Sequence, residues 1–211
     1  MKVFDTADIK SMSKIFRLNL INSITGIKPA NLIGTKSKDN LENLAIFSSV
    51  VHLGSNPALL GMISRPQHNK LKDTYTNIKE TGYYTINHVS SNFIKKAHYT
   101  SAELSRDISE FEVMNLNPEY VESFYAPFVT QSRVKIGMKY IQSLDLPNGC
   151  ILIIGEVQLI QLPENSINNF GQINLEELEA TGISGLDTYY SLKKLDQFPY
   201  VNKNEIPDFS D

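Results

Sequence analysis

Arg133-Val-Lys-Ile-Gly-Met-Lys-Tyr-Ile-Gln-Ser-Leu144, then Pro147-Asn-Gly149, then Cys150-Ile-Leu-Ile-Ile-Gly-Glu-Val-Gln-Leu-Ile-Gln-Leu162 is the stretch that decides the fold class. Val134, Ile136, Met138 and Tyr140 alternate with Arg133, Lys135 and Lys139, the two-residue period of a sheet with one face in water. Cys150–Leu162 is nearly all apolar at its start, which predicts a strand buried on both faces or at an interface. Two long strands joined by Pro-Asn-Gly predict an antiparallel hairpin.

Working outward, the rest of the chain reads as more strands with short helices between them. A helical turn is expected around Lys14–Ile21, and Pro29–Thr35 reads as a strand followed by a polar turn at Lys36–Glu42. Leu44–Leu53 is β-branched and aromatic, and predicts one strand. Ala58–Ser64 predicts the next, bounded by Pro57 and Pro66. Asp73 is the expected cap of a short helix carrying Tyr75 and Ile78, with Gly82 at its left-handed end. Tyr83–Val89 returns as a strand. Ser91 opens a helix with Phe93, Ile94 and Ala97 as its apolar side. Asp107-Ile-Ser-Glu110 has the spacing of a capping box, which predicts a helix over Ile108–Asn115. A last short helix is expected at Leu175–Glu179, before the polar tail Asn202–Asp211. A closed or partly closed antiparallel barrel with helical insertions accounts for this order.

Composition narrows the functions. The chain has 211 residues, 41% of them apolar, with 20 Lys+Arg against 23 Asp+Glu. That balance lacks the basic excess or stripe of a nucleic-acid binder, so no nucleic-acid partner is expected. No apolar run approaches the roughly 20 residues that span a bilayer, so no membrane partner is expected. The N-terminus, MKVFDTADIKSMSK, carries charges where a signal peptide needs an unbroken apolar stretch. The single cysteine, Cys150, makes no internal disulfide. A cytoplasmic, reduced location is expected.

Common catalytic signatures are missing. The sequence contains no G-x-G-x-x-G, no G-x-x-x-x-G-K-[ST], no H-E-x-x-H and no G-x-S-x-G. His52, His68, His88 and His98 are scattered without the spacing that puts two on one helical face. No metal site and no catalytic acid, base or nucleophile is expected.

One region does carry a chemical pattern. Asn43-Leu-Ala-Ile-Phe-Ser-Ser49 and His52-Leu-Gly-Ser-Asn-Pro57 precede Ser64-Arg-Pro66, Lys72-Asp-Thr74 and Asn77-Ile78. It gathers small side chains (Ala45, Ser48, Ser49), amide and hydroxyl groups, an arginine and a helix start. A phosphorylated, flat heteroaromatic ligand needs such a set. Its phosphate wants hydroxyls, a guanidinium and free helix N–H groups. Its ring wants small residues that let backbone groups approach.

The pattern N-x-A-x-x-S…P, then R-P…D-T-x-x-N-I and Thr81-Gly-x-x-x-x-Asn87, resembles the flavin-reductase-like family of FMN-binding split barrels. Ala97-His98-x-x-Ser101, Ser109-Glu-Phe111, Ala126-Pro-Phe128, Gly155-Glu-Val157 and Gly171-Gln-Ile-Asn-Leu175 also fit. The resemblance covers roughly residues 15–195, which leaves 1–14 as an N-terminal extension and 196–211 as a tail. It implies a mainly β protein with short helices, a six-stranded antiparallel Greek-key barrel that forms a homodimer with FMN near the subunit interface. It places Thr35, Asn43, Ala45, Ile46, Phe47 and Ser48 near the flavin; Ser49 and Asn77 are further candidates for cofactor binding, and Arg65 and Thr74 are the candidates for the phosphate end. The family often has Thr where this chain has Ala45, and a second Pro where it has Asn56.

Each residue also has a structural reading. Ser48 and Ser49 fit strand serines bonding nearby backbone. Phe47 fits core filler, Arg65 a solvated edge charge, and Thr74 and Asn77 the first turns of a helix. Tyr189 and Tyr190 match a late G-x-x-Y segment near the flavin edge, or pack the tail on the barrel. The implied activity is reduction of FMN by NADH or NADPH. The alternative is FMN binding without turnover, as a carrier, redox sensor or oxygenase partner.

Overall fold

A computed structural model describes residues 1–67 and 72–209, so His68 lies outside the described residues. Two helices come first, α1 (Thr6–Ser11) and α2 (Lys14–Ser23), capped by the side chains of Asp5 and Ser13. The strands β1 (Lys28–Pro29), β2 (Asn31–Lys36), β3 (Glu42–Phe47), β4 (Val51–Ser55) and β5 (Ala58–Ser64) follow. Helix α3 (Asp73–Thr81) leads into β6 (Tyr83–His88), then α4 (Ile94–Tyr99) and α5 (Glu110–Val113). The chain continues through β7 (Pro118–Glu119), β8 (Phe128–Val129), β9 (Lys135–Asp145), β10 (Ile151–Gln161), β11 (Thr181–Ser184) and β12 (Thr188–Ser191).

The main sheet is antiparallel throughout and runs β3-β2-β6-β9-β10-β5-β4. Its two edge strands, β3 and β4, are consecutive in the chain and joined only by Ser48–Val50. Such a link reaches about 15 Å at most. In a flat sheet the six steps between those edges would separate them by about 29 Å. The sheet must therefore curl until its edges approach. It forms a barrel with a seam between β3 and the β4–β5 hairpin.

The sheet has seven strands where six were expected, because the run Leu44–Leu53 is two strands and not one. Ser49 explains the break. Its hydroxyl donates to Ile63 O and accepts Ile63 N–H, both at 3.1 Å, so it takes the place of a ladder partner on β5. The chain turns there and resumes as β4.

Two apolar clusters lie on opposite faces of β2 and β3. Ile33, Met62, Tyr84, Ile86, Met138 and Ile153 fill the barrel together with Ile78 of α3. Leu32 and Leu44 pack outward against Val89, Phe93, Ala97 and Phe111, in a layer that includes α4 and α5. Helix α3 ends as expected, with Gly82 at φ 78° and its N–H on Ile78 O.

Other expectations are corrected. Lys72, without a side-chain cap bond, holds the position before α3, and Asp73 is its first residue. Asp73 faces Arg106 at 3.8 Å instead. Ser109 and not Asp107 caps α5, accepting Phe111 N–H, and the helix spans Glu110–Val113. Lys135 was expected in water but is 6% exposed, because Glu119 reaches it at 2.6 Å. Leu152 and Ile154 of β10 remain half-buried, so that strand is covered on one face only. Residues 175–179 form turns rather than a helix.

Candidate functional site

The outer edge of β3 borders the seam. Leu44 N–H points away from β2 and donates to Glu110 Oε2 at 2.9 Å. Strand backbone repeats every two residues, so Ile46 turns its N–H and C=O to the same outer side. No described residue bonds them there. Ala45, between these positions, is small and half-buried. Ile46 packs against the outer apolar layer, and Phe47 against the barrel core. Ser48 is half-buried beyond them.

Helix α3 closes one end of the barrel and is laced to β2 and β3. Asn43 Nδ2 donates to Thr35 Oγ1 and to Thr74 Oγ1, both at 3.0 Å. Asn77 Nδ2 donates to the same Thr35 oxygen at 3.1 Å. Thr35, Thr74 and Asn77 are buried, and Asn77 Oδ1 has no protein partner. A single threonine oxygen thus serves two amides.

Arg65 follows β5 and is exposed, and no described side chain bonds its guanidinium. Gln67 holds this segment to the start of α3. Its Nε2 donates to Ser64 Oγ at 3.2 Å and to Arg65 O at 2.6 Å, while its Oε1 accepts Lys72 N–H at 2.7 Å. Arg65 therefore stands beside a helix start that no side chain caps. Lys72 and Arg106 lie at the same end, 3.5 Å from Glu103 and 3.8 Å from Asp73. Burial pushes the Glu110 carboxyl above its ordinary value; the Leu44 N–H opposes that shift and the Asp73 charge adds to it.

The structure thus brings Thr35, Asn43, Thr74 and Asn77 into one network, places Ala45, Ile46 and Ser48 along an open edge, and sets Arg65 by α3. Ser49 is committed to Ile63. Gln67 was not singled out from sequence, and Glu110 was read only as part of a local cap. Ser109-Glu-Phe111 was visible as a motif, but nothing local marks Leu44 as its partner. Tyr189 packs on the outer layer, and its hydroxyl meets His98 Nδ1 at 3.0 Å. Burial and the Asp187 charge push that phenol up to about 12. Tyr190 is exposed.

A cavity of about 580 Å³ between Asn165–Glu177 and Leu192–Gln197, and another of about 330 Å³ around Tyr83 and Phe124, lie apart from these residues. The candidate site is an edge and not an enclosed hole. Among the described residues no cluster of His, Cys, Asp and Glu could hold a metal, and no helix is long and apolar enough to cross a membrane.

The sequence model of the flavin reductase like domain matches residues 27–176. The chain belongs to this family. A candidate flavin reductase with a split barrel domain from Shewanella frigidimarina NCIMB 400 superposes on this flavin-reductase-like chain with a TM-score of 0.90. The two are 42% identical, over 95% of this chain and 100% of that one. Nitrilotriacetate monooxygenase component B from Bacillus cereus shares the fold at a TM-score of 0.83 and 20% identity, over 94% and 98% of the chains. An uncharacterized protein of Aquifex aeolicus is 29% identical over 163 residues, 75% of this chain and 81% of its own. The chain's function is flavin-related.

Proposed function

We propose that this chain binds FMN along the outer edge of β3 and reduces it with NADH or NADPH. The observation that carries the reading is the unbonded backbone of Ile46 at the barrel seam, beside Ala45 and the uncapped start of α3. The residues fit the ligand. Outward N–H and C=O groups suit a ring edged with nitrogens and carbonyls, and Ala45 leaves room for it. Arg65, Thr74 and the first N–H groups of α3 suit its phosphate. When bound, FMN supplies the hydride acceptor, so the chain needs no acid, base or nucleophile of its own.

The chain's tasks are to hold and orient. Thr35, Asn43, Thr74 and Asn77 fix β3 against α3, and so fix the ring edge relative to the phosphate end. Ser48 borders the ring, Phe47 and Ile46 anchor β3 from its two faces, and Ser49 fastens the seam. A flavin-binding unit over 15–195, cytoplasmic and homodimeric, completes the reading. Half-buried Leu152 and Ile154, with exposed Val51 and Leu53, support a second copy against this side. An oxygenase is the proposed recipient of the reduced flavin.

The visible spectrum of the purified protein tests the binding. A yellow protein, or one that quenches the fluorescence of added FMN, is expected; a colourless one that leaves FMN unchanged overturns the reading. Anaerobic NADH or NADPH should then bleach the bound flavin. Binding without bleaching leaves the carrier or sensor role. Arg65→Ala should weaken FMN binding by about 1.5–3 kcal/mol, the value of a hydrogen bond to a charged group.

A further inference from the structure

Four polar side chains outside the β3 edge converge between α3 and β9. Lys79 Nζ donates to the Tyr140 hydroxyl at 2.9 Å and lies 4.7 Å from the ring centroid. The Tyr140 and Ser143 hydroxyls are 3.1 Å apart, and that of Tyr75 is 3.3 Å from the same Ser143 oxygen. Tyr75 and Lys79 share a face of α3 because they are one turn apart. Tyr140 and Ser143 are an odd number of residues apart, which ordinarily puts strand side chains on opposite faces. A bulge resolves this. Gln142 pairs with Ile154 and Tyr140 with Gly155, so Ile141 is the extra residue that brings both hydroxyls to one side.

The cluster is rich in donors. Lys79 keeps hydrogens beyond the one on Tyr140, and the hydroxyls bonded in a row leave one end with a hydrogen to donate. Among the described residues no carboxylate bonds Lys79. Burial would raise the Tyr140 phenol, but hydrogen bonds to Lys79 and Ser143 outweigh it and leave the phenol below its ordinary value. The bond to Tyr140 holds Lys79 above its own, so the ammonium stays charged. A cation with spare donors and no anionic partner suits an oxyanion.

We propose that Lys79, Tyr75, Tyr140 and Ser143 form a subsite for a phosphomonoester. The choice of ligand rests on the flavin reductase reading. Thr74, placed at the flavin phosphate end, lies next to Tyr75, and Lys79 is about 7.5 Å farther along the helix axis. That reading offers two phosphomonoesters, the 5′-phosphate of FMN and the 2′-phosphate of NADPH. Arg65 and the α3 start serve the first, so the subsite takes the second and favours NADPH over NADH.

Calorimetric titration of the purified full chain with adenosine 2′-monophosphate, adenosine, inorganic phosphate and FMN tests this. Lys79→Met should weaken adenosine 2′-monophosphate at least tenfold, Tyr140→Phe by less, and Lys79→Arg should keep most of the affinity. Adenosine and FMN should bind all variants alike. Loss confined to FMN moves the subsite to the flavin phosphate and removes the NADPH preference. Equal affinities of wild type, Lys79→Met and Tyr140→Phe for every phosphate ligand overturn the subsite. Adenosine 2′-monophosphate that distinguishes the variants while FMN binds none of them sinks the flavin reading and leaves the subsite standing.

Discussion

The carboxylate of Glu110 accepts the main-chain N–H of Leu44 at 2.9 Å, across 66 positions of sequence. This one bond closes part of the outer edge of β3 and leaves the Ile46 position open beside it. Glu110→Ala strands a buried N–H and should cost about 1–3 kcal/mol. Glu110→Gln keeps an acceptor and removes a charge that burial already disfavours, so its stability at neutral pH should stay near wild type. Urea unfolding separates the two variants. Equal losses would show that the carboxylate's charge, and not its oxygen, holds the strand.

Thr35 accepts from Asn43 and from Asn77, so one substitution unties both amides. Thr35→Val keeps the shape and removes the acceptor, and should destabilise by about 2 kcal/mol or more. Because Asn43 also reaches Thr74 of α3, FMN affinity should fall with it. Thr35→Ser should recover most of both. The check is unfolding and FMN titration on the same preparations; a Val variant with unchanged flavin affinity would separate the network from the site.

Ser49 makes two bonds to one residue, Ile63. Ser49→Ala leaves both main-chain groups of Ile63 unbonded at the seam and should cost about 1–3 kcal/mol. Hydrogen exchange reports it locally. Faster exchange is expected at Ile63 and not at Met138 in the barrel core, whereas uniform acceleration would mean a general loss of stability.

The period of β9 was legible in sequence because side chains alternate along a strand whatever surrounds them. The fate of Lys135 was not, since period assigns a face and says nothing of a partner such as Glu119. The break after Phe47 was hidden for a related reason. Apolar strand formers flank Ser48 and Ser49 on both sides, and only the Ile63 backbone gives Ser49 cause to stop the strand. In the candidate site, Thr35, Asn43, Thr74 and Asn77 were nameable one by one through the family pattern. Their mutual bonding is a property of the fold, joining segments up to 42 residues apart. Glu110 shows the same limit, read as a local cap until Leu44 stands beside it.

Burial pushes the His88 imidazole down to about 4, whereas in the unfolded chain it titrates near the ordinary histidine value of 6.5. Above that value both states are neutral, and the group contributes its full share of stability. As pH falls, the unfolded chain takes up a proton that the folded chain refuses until about pH 4. Stability is therefore lost from about pH 6.5 downward, and the loss is complete near pH 4. The ceiling is about 3 kcal/mol from the width of that window, and partial contact of the residue with water brings the value below it. The raised carboxyl of Glu110 acts in the opposite sense, so the clean comparison is with His88→Gln, which removes only the titration. The main-chain bond from His88 N–H to Val134 O is kept in that variant. Between pH 6.5 and 4.5 the melting temperature of wild type should fall more steeply than that of His88→Gln; parallel curves would place the imidazole in water.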